Sequence, residues 1–516
     1  MKNKIYITLI VIIGLLVYIA TLKAVPGNIT SSSPLLTPPF NGEILPFELS
    51  GSRSAFATLL AINENRSFSL TNRLADFAAP DTGYYNGNLF SFFPPGVALI
   101  GLPFYRLGEH FNLSLAFSYF SISVLAVLSL VILFKISSSV FNLPKWTSFF
   151  IVILCGFASH FLNFSISFYQ QIPSAFLVLV MFYYSWKYKN STKYAWLYSS
   201  IVWLGYGISS FINYPNIVLL LPIMFYFLSS SIIIHEEVDK YSIKLKKAFL
   251  ITSVLLALLI CLHIFYNVQN FGYWKRFSNT LPQYNPSNSS QTLEALQSKN
   301  LQDIVKKKEA VQSIFSENGI INGLNVNLFA LNKSLLMHDP FSIFALLGIL
   351  IVVRYKKIKG EYKTIIGTVI VNLFIYASFH DPWGGWSYGP RYLVPSVPFL
   401  SILFGVWLAH KTNILKKIVS IIFFSYGAFV ALLGALGKNI VIPVIEAKPL
   451  GLPSTYMANF NLVKEGKNGS FFFNQYLSNL LTLEQFLFVL FVSLVIFAAL
   501  TLFWFPKFEN KHEHLN

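Results

Sequence analysis

The chain has 516 residues, of which 54% are hydrophobic, 17% aromatic and only 11% charged. A soluble domain carries about 25% charged residues, so the composition excludes a string of soluble domains and points to one polytopic membrane domain. The net charge of +17 does not indicate a nucleic-acid binder, because the lysines fall in short clusters between apolar runs, where they set membrane topology. The two cysteines, Cys155 and Cys261, lie inside such runs and imply neither a disulfide framework nor a metal site.

A bilayer-crossing helix needs roughly 20 mostly apolar residues. Such stretches lie near 5–22, 113–135, 147–164, 172–187, 195–211, 216–234, 248–266, 341–354, 364–379, 392–410, 417–437 and 484–505. The reading is an all-α polytopic membrane protein of about twelve transmembrane helices. The first stretch opens Met-Lys-Asn-Lys and lacks a clean small-x-small cleavage pattern behind it, so it is expected to be a retained anchor, not a signal peptide. The apolar run from Pro94 to Leu107 is short and opens Pro-Pro-Gly, which suits an interfacial or re-entrant segment.

With the N-terminus in the cytoplasm, the connections holding "KYKNSTK", "DKYSIKLKK", "RYKKIKGEYK" and "HKTNILKK" all face inward, as does the C-terminal tail. Their density of positive charge fits the positive-inside rule. Three long loops, 23–112, 267–340 and 438–483, then face outward, together with the short stretch 380–391. The first loop carries the amphipathic candidate "SRSAFATLLAIN"; the second carries "SQTLEALQSKNLQDIVKKKEAVQSIFS", with apolar residues at helical spacing. No internal repeat stands out, so the inverted-repeat pattern of many secondary transporters is missing.

The first outer loop contains "ADFAAPDTGYYNGNLFSFFPPG". Asp76 and Asp81 precede the aromatic, glycine-rich turn of Tyr84, Tyr85 and Asn86, and the Pro-Pro-Gly then starts a helix, where a proline's missing N–H costs nothing. A carboxylate on such a loop, laid along the outer membrane face, can act as general base on an acceptor hydroxyl. The plain alternative is an ordinary turn, for which Asp is a common residue.

The late stretch "FHDPWGGWSYGPRYLVPSVPFL" supplies the opposite charge. Arg391 stands where the helix near 392–410 begins, and a guanidinium there can hold a phosphate through two parallel hydrogen bonds. Gly384, Gly385 and Gly389 permit unusual backbone angles and close approach to a ligand. Trp383, Trp386, Tyr388 and Tyr392 can stack on a sugar, with His380 and Asp381 beside them. The competing view is an interfacial aromatic belt with a snorkelling arginine. Polar residues at other outer span ends, His160, Tyr169, Gln170, Gln171, Asn213, Tyr214, Asn267, Asn270 and Lys275, read more simply as satisfied structural groups. No phosphate-binding Gly-x-x-x-x-Gly-Lys-Ser/Thr loop, His-Glu-x-x-His or Gly-x-Ser-x-Gly occurs, which argues against a nucleotide-driven pump or a zinc protease.

"PDTGYYNGNLFSFFPPG" and "GGWSYGPRYLVPSVPFL" together make the chain resemble the GT-C superfamily of integral-membrane glycosyltransferases, the class of protein O-mannosyltransferases and aminoarabinose transferases. Weaker likenesses are "INYPNIVLLLP", "YNVQNFG" and "NKSLLMHDPFSIFALLGI". The likeness covers residues 1–410, expected to form a GT-C-like catalytic module with amphipathic helices in its first loop. Residues 411–516 are expected to add C-terminal spans. The resemblance implies a sugar donor on a polyprenyl phosphate and a lipid, glycan or protein acceptor outside the cytoplasm. It implies a first-loop acid as catalytic base, which maps onto Asp81 by its distance ahead of Asn86, with Asp76 and Glu48 as rivals. It implies donor-phosphate contacts at Arg391 and His380, and substrate contacts at Asp381, Trp383, Trp386, Tyr388, Tyr84, Tyr85 and Asn86. Relatives often carry a basic residue where this chain has Phe92 and Phe93, which shifts weight onto Arg391. The class admits a divalent cation; the residues name no ligands for one. The expected setting is the plasma membrane, with both termini cytoplasmic. Two other readings remain, a lipid-linked-sugar transporter or flippase, and a glycan polymerase or ligase. The first predicts polar residues spread through the bilayer depth, whereas here they crowd at outer span ends. The second would rely on arginines and a histidine in the large outer loop, and 267–340 has only Arg276 and His338.

Overall fold

The computed structural model describes residues 2–37, 46–237, 240–298, 319–355, 358–440 and 455–506. Every apolar stretch picked out above contains helix: Lys2–Thr21, Ser114–Lys135, Lys145–Phe157 with Phe161–Ser165, Gln171–Asn190, Ala195–Ile212, Asn216–Leu219 with Leu221–Ser231, Lys247–Thr252 with Val254–Phe271, Ser342–Tyr355, Gly360–Ala377, Val397–Ala409, Ile414–Leu436 and Leu483–Phe503. Among the described residues, 6 helices are long and apolar enough to cross a membrane: Asn3–Thr21, Ser114–Val140, Lys247–Phe271, Arg391–Ala409, Ile414–Leu436 and Leu483–Phe503. The others are shorter, less apolar or interrupted. Lys145–Phe157 stops at Ala158 and resumes at Phe161, and Leu221–Ser231 opens with a proline in its first turn, so the chain is broken there as a continuous apolar rod. The protein is a helical membrane protein. Its many buried serines fit apolar helices because they bond back onto the preceding turn, as Ser137 does to Leu133 and Ser401 to Val397.

The chain divides into two compact units. The first comprises Met1–Pro26, Leu115–Ser167 and Glu317–Asn516. Its central element is Val397–Ala409, which packs against Ser342–Tyr355 and Lys145–Phe157 and is buried along almost its whole length. The crossing with Ser342–Tyr355 is close: a Cβ on Gly348 would lie 2.0 Å from the Leu403 carbonyl oxygen, so only glycine fits there. Residues 411–516 are part of this unit, with Ile414–Leu436 packed on Leu483–Phe503. The exit of the first helix is tied to them. Lys23, 3% exposed, donates to the Gly437 carbonyl at 2.5 Å, and the Phe471 N–H donates to the Leu22 carbonyl at 2.7 Å.

The second unit comprises Gly27–Ser114 and Phe168–Ser316. Here the all-α expectation needs amending. Thr82–Tyr85 and Asn88–Ser91 form an antiparallel hairpin, and Gln283–Tyr284 adds a third strand beside Thr82 and Gly83. The turn residues Asn86 and Gly87 have φ of 46° and 83°, the two positive angles of a type I′ turn, for which Asn-Gly is the favoured pair. Phe90, Phe271 and Leu281 form the apolar patch under this sheet. Ser50–Asn65, which contains the amphipathic candidate of the first loop, is a helix packed on Asn72–Ala78 and Gly96–His110. A second hairpin joins Ile232–Glu237 to Lys240–Leu245. Of the helix expected over 290–316, Leu293–Gln297 is described and the rest lies outside the described residues.

Candidate active site

The sequence-derived site residues fall into two groups, one in each unit. His380, Asp381, Trp383, Trp386, Tyr388 and Arg391 share one loop of the first unit; Glu48, Asp76, Asp81, Tyr84, Tyr85 and Asn86 belong to the second.

The loop of the first unit runs from the end of Gly360–Ala377 to the 3₁₀ turn Arg391–Ser396, which leads into Val397–Ala409. Its glycines are there for conformation: Gly384, Gly385 and Gly389 have φ of 66°, 62° and 74°. The Asp381 carboxylate accepts the Gly385 N–H at 2.6 Å, and Lys333 donates to the Gly385 carbonyl, so both backbone polar groups of Gly385 are held. Asp381 therefore braces the turn. Arg391 is half-buried. Its guanidinium lies 4.8 Å from the Tyr392 ring centroid and donates to the Tyr392 hydroxyl at 3.0 Å. Tyr392 in turn stacks on Tyr376 at 4.2 Å with planes 5° apart, and Phe379 meets both rings edge-on. A Cβ on Gly384 would lie 2.9 Å from Arg391 Nε, so the glycine leaves the guanidinium room on that side. His380 and Trp386 are exposed, Trp383 is half-buried, and Tyr388 is fully buried, offering no open face.

Tyr388 is an anchor. Its hydroxyl donates to the Val430 carbonyl at 2.7 Å and its N–H to the Asn439 carbonyl at 3.1 Å. Asn439 donates to the Asn163 carbonyl and to Ser167 Oγ, and Asn163 donates to the Ala431 carbonyl. Beside this network sits a cluster of buried titratable groups. Asp339 Oδ1 accepts the His160 backbone N–H at 3.0 Å, and Asp339 Oδ2 lies 2.5 Å from His160 Nδ1, out of line for a hydrogen bond; both side chains are 0% exposed. His338 meets Tyr388 edge-on at 5.1 Å and places Nδ1 3.1 Å from the Ser334 carbonyl. Burial, with the charge of the neighbouring His160, pushes His338 down to about 3, so its ring is neutral. Because Nδ1 faces a carbonyl, the neutral ring carries its proton there and leaves Nε2 a bare lone pair. That Nε2 and the Nε2 of His160 are buried with no hydrogen-bond partner among the described residues. Asp339 lies within "NKSLLMHDPFSIFALLGI", which the sequence marks as a weak family likeness without singling out the acid.

In the second unit Asp81 is half-buried and opens the strand Thr82–Tyr85. Its backbone is fixed on both sides: the carbonyl accepts from Ser54 Oγ at 3.0 Å and from the Phe92 N–H at 2.9 Å, and the N–H donates to the Ala78 carbonyl. Arg53 steadies the preceding segment by donating to the Phe77, Phe47 and Ala79 carbonyls. Asp76 accepts the Tyr284 hydroxyl at 2.5 Å, and burial together with that contact holds the phenol above its ordinary pKa. Glu48 is half-buried. Tyr84 is buried, Tyr85 lies under the Arg276 guanidinium at 4.8 Å, and Asn86 is exposed at the hairpin tip. Among the described residues no three His, Cys, Asp or Glu side chains gather to hold a metal ion.

No protein-family model matches the sequence, and no curated protein matches it. Among solved structures the chain is similar to ArnT from Cupriavidus metallidurans in the apo state, with a TM-score of 0.50 and 12% identity over 97% of this chain and 77% of that one. For ArnT bound to undecaprenyl phosphate the values are 0.48, 12%, 96% and 76%. For the archaeal oligosaccharyltransferase AglB from Archaeoglobus fulgidus, in complex with an inhibitory peptide and a dolichol-phosphate, they are 0.41, 12%, 90% and 56%. At such identity a likeness establishes fold. The GT-C resemblance carried by the sequence motifs holds at that level, through ArnT.

Proposed function

We propose that this protein is a membrane glycosyltransferase that moves a sugar from a polyprenyl-phosphate donor to a hydroxyl acceptor outside the cytoplasm. The observation that carries the reading is the Arg391 loop: a guanidinium held by an aromatic stack, bordered by a glycine, at the head of an apolar helix in a chain with the ArnT fold. A cation in that position is suited to an anionic lipid headgroup.

The reaction is a single displacement. The acceptor oxygen attacks the anomeric carbon and the bond from that carbon to the phosphate oxygen breaks. The phosphate leaves with the bonding pair, and the acceptor's proton passes to the Asp81 carboxylate. One displacement inverts the anomeric configuration. Arg391, with His380 nearby in the chain, stabilises the charge growing on the departing phosphate, an effect worth several kcal/mol of barrier. Trp383, Trp386, Tyr85 and Asn86 are the sugar contacts in this reading. Asp81 is preferred to its rivals Asp76 and Glu48 because the family resemblance maps the first-loop acid onto it by its distance ahead of Asn86. The positive-inside pattern puts both termini in the cytoplasm and the reaction on the far side of the plasma membrane.

The test is transfer by the purified protein from a panel of polyprenyl-phosphate sugars. Arg391→Ala and Asp81→Asn are each expected to lower turnover by about 100-fold or more, in line with loss of a charge-stabilising or proton-accepting group, while Asp76→Asn keeps most activity. Normal turnover by Asp81→Asn with a dead Asp76→Asn would move the base to Asp76. Absence of transfer from every donor, with lipid-sugar movement across proteoliposomes, would make the protein a transporter.

A further inference from the structure

Gly389, Pro390 and Arg391 form one rigid step. Pro390 has φ −79° and ψ 69°, and the Arg391 N–H donates to the Gly389 carbonyl at 2.9 Å, which is an inverse γ-turn. Wherever the Gly389 Cα goes, the Arg391 backbone follows. Gly389 is itself wedged against the buried cluster: a Cβ on it would lie 2.9 Å from His338 Cδ2 and 3.2 Å from His160 Cβ. Asp339 holds His160 by accepting its backbone N–H and sets its other carboxylate oxygen against the ring. His338 directly precedes Asp339 in the chain and meets the anchor Tyr388 edge-on.

A buried acid–imidazole pair is a poor source of net stability, since replacing such pairs by apolar side chains is often neutral. Its strength is geometry, because a paired buried charge tolerates little displacement. We propose that His160, Asp339 and His338 are positioning residues that fix the height of Gly389 and, through the γ-turn, aim Arg391 at the donor phosphate. The proposal rests on the reading of Arg391 given above, and the three residues touch no substrate in it.

Two measurements separate the proposal from that reading. The first needs no activity: hydrogen–deuterium exchange of the amides of 384–393 in the purified full chain. Asp339→Asn keeps an oxygen for the His160 N–H but removes the charge. It is expected to speed exchange in 384–393 by about tenfold while the helix Ile414–Leu436 exchanges as before. The second is transfer kinetics. His338→Ala removes the ring against which Gly389 rests and is expected to raise the donor KM by about tenfold with kcat little changed, given how steeply function falls with ångström misplacement, whereas a merely destabilising change would lower the active fraction and leave KM as it was. Unchanged exchange in Asp339→Asn, or a wild-type donor KM in His338→Ala, overturns the proposal. A wild-type protein without transferase activity removes the reading of Arg391, and the exchange result then still judges whether the cluster holds the loop.

Discussion

Arg391 lies half-buried at the head of an apolar helix, where a guanidinium is tolerated if it meets an anion or lines a polar cavity. The Tyr392 ring and hydroxyl orient it, and Gly384 gives it room. His338 is the opposite case, a titratable group kept from charging. It lies ahead of the helix Ser342–Tyr355, among His160, Asp339, Lys333, Tyr388 and Tyr456. Its pKa falls from 6.5 to about 3, so between those values the unfolded chain binds a proton that the folded chain refuses. Stability contributed by this group is present above about pH 6.5 and is lost as the pH falls toward 3, by about 1.4 kcal/mol per pH unit. Thermal unfolding in detergent at pH 7 and pH 4.5 checks this: the acid-induced drop in Tm should be smaller in His338→Gln. An equal drop in both would mean that His338 charges freely in the fold.

At the scale of elements, the helices were legible because bilayer thickness sets their length and the alternative partners for their backbone are absent in lipid. The break at Ala158 was not, since that residue carries no strong local signal, whereas Pro222 marks the break at Leu220. The hairpin was half legible. Asn86-Gly87 is a turn pair on sight, but strands of four residues are too short for alternation to show, and their third partner, Gln283–Tyr284, comes from a distant segment. The glycine loop with its arginine was visible as residue types, whereas its supports were not. His160 and Asp339 are 179 positions apart, and Tyr388 was legible only as an aromatic, equally fit to stack on a sugar or to be buried. The segment 430–440 has the same character: nothing in it looks like a site, yet Val430, Ala431 and Asn439 hold the loop from below. Asn439→Ala would remove the donor shared by the Asn163 carbonyl and Ser167 Oγ, leaving those two bonded to each other. The expected loss is about 1–3 kcal/mol, at about 0.5–1.5 kcal/mol for each of the two hydrogen bonds removed. Unfolding of the purified variant measures it, and a wild-type Tm would show that these bonds are readily replaced.

At the scale of the molecule, the sequence likeness to known glycosyltransferases stops near residue 410, but the first unit does not. Residues 411–516 supply two of the 6 membrane-length helices and the floor of the Arg391 loop. A chain ending at 410 is expected to enter the membrane and to fail in donor binding, and adding 411–516 as a separate polypeptide is expected to recover part of it. Full binding by 1–410 alone would reduce the C-terminal part to an accessory. The tie between Lys23 and Gly437, and between Leu22 and Phe471, extends the same point to time. The helix Lys2–Thr21 leaves the ribosome well before the segments that fasten it, the first of them 414 positions further on. This unit thus cannot close until Gly437 and Phe471 have been made, and a nascent chain must hold Lys2–Thr21 in the lipid, unsecured, until then.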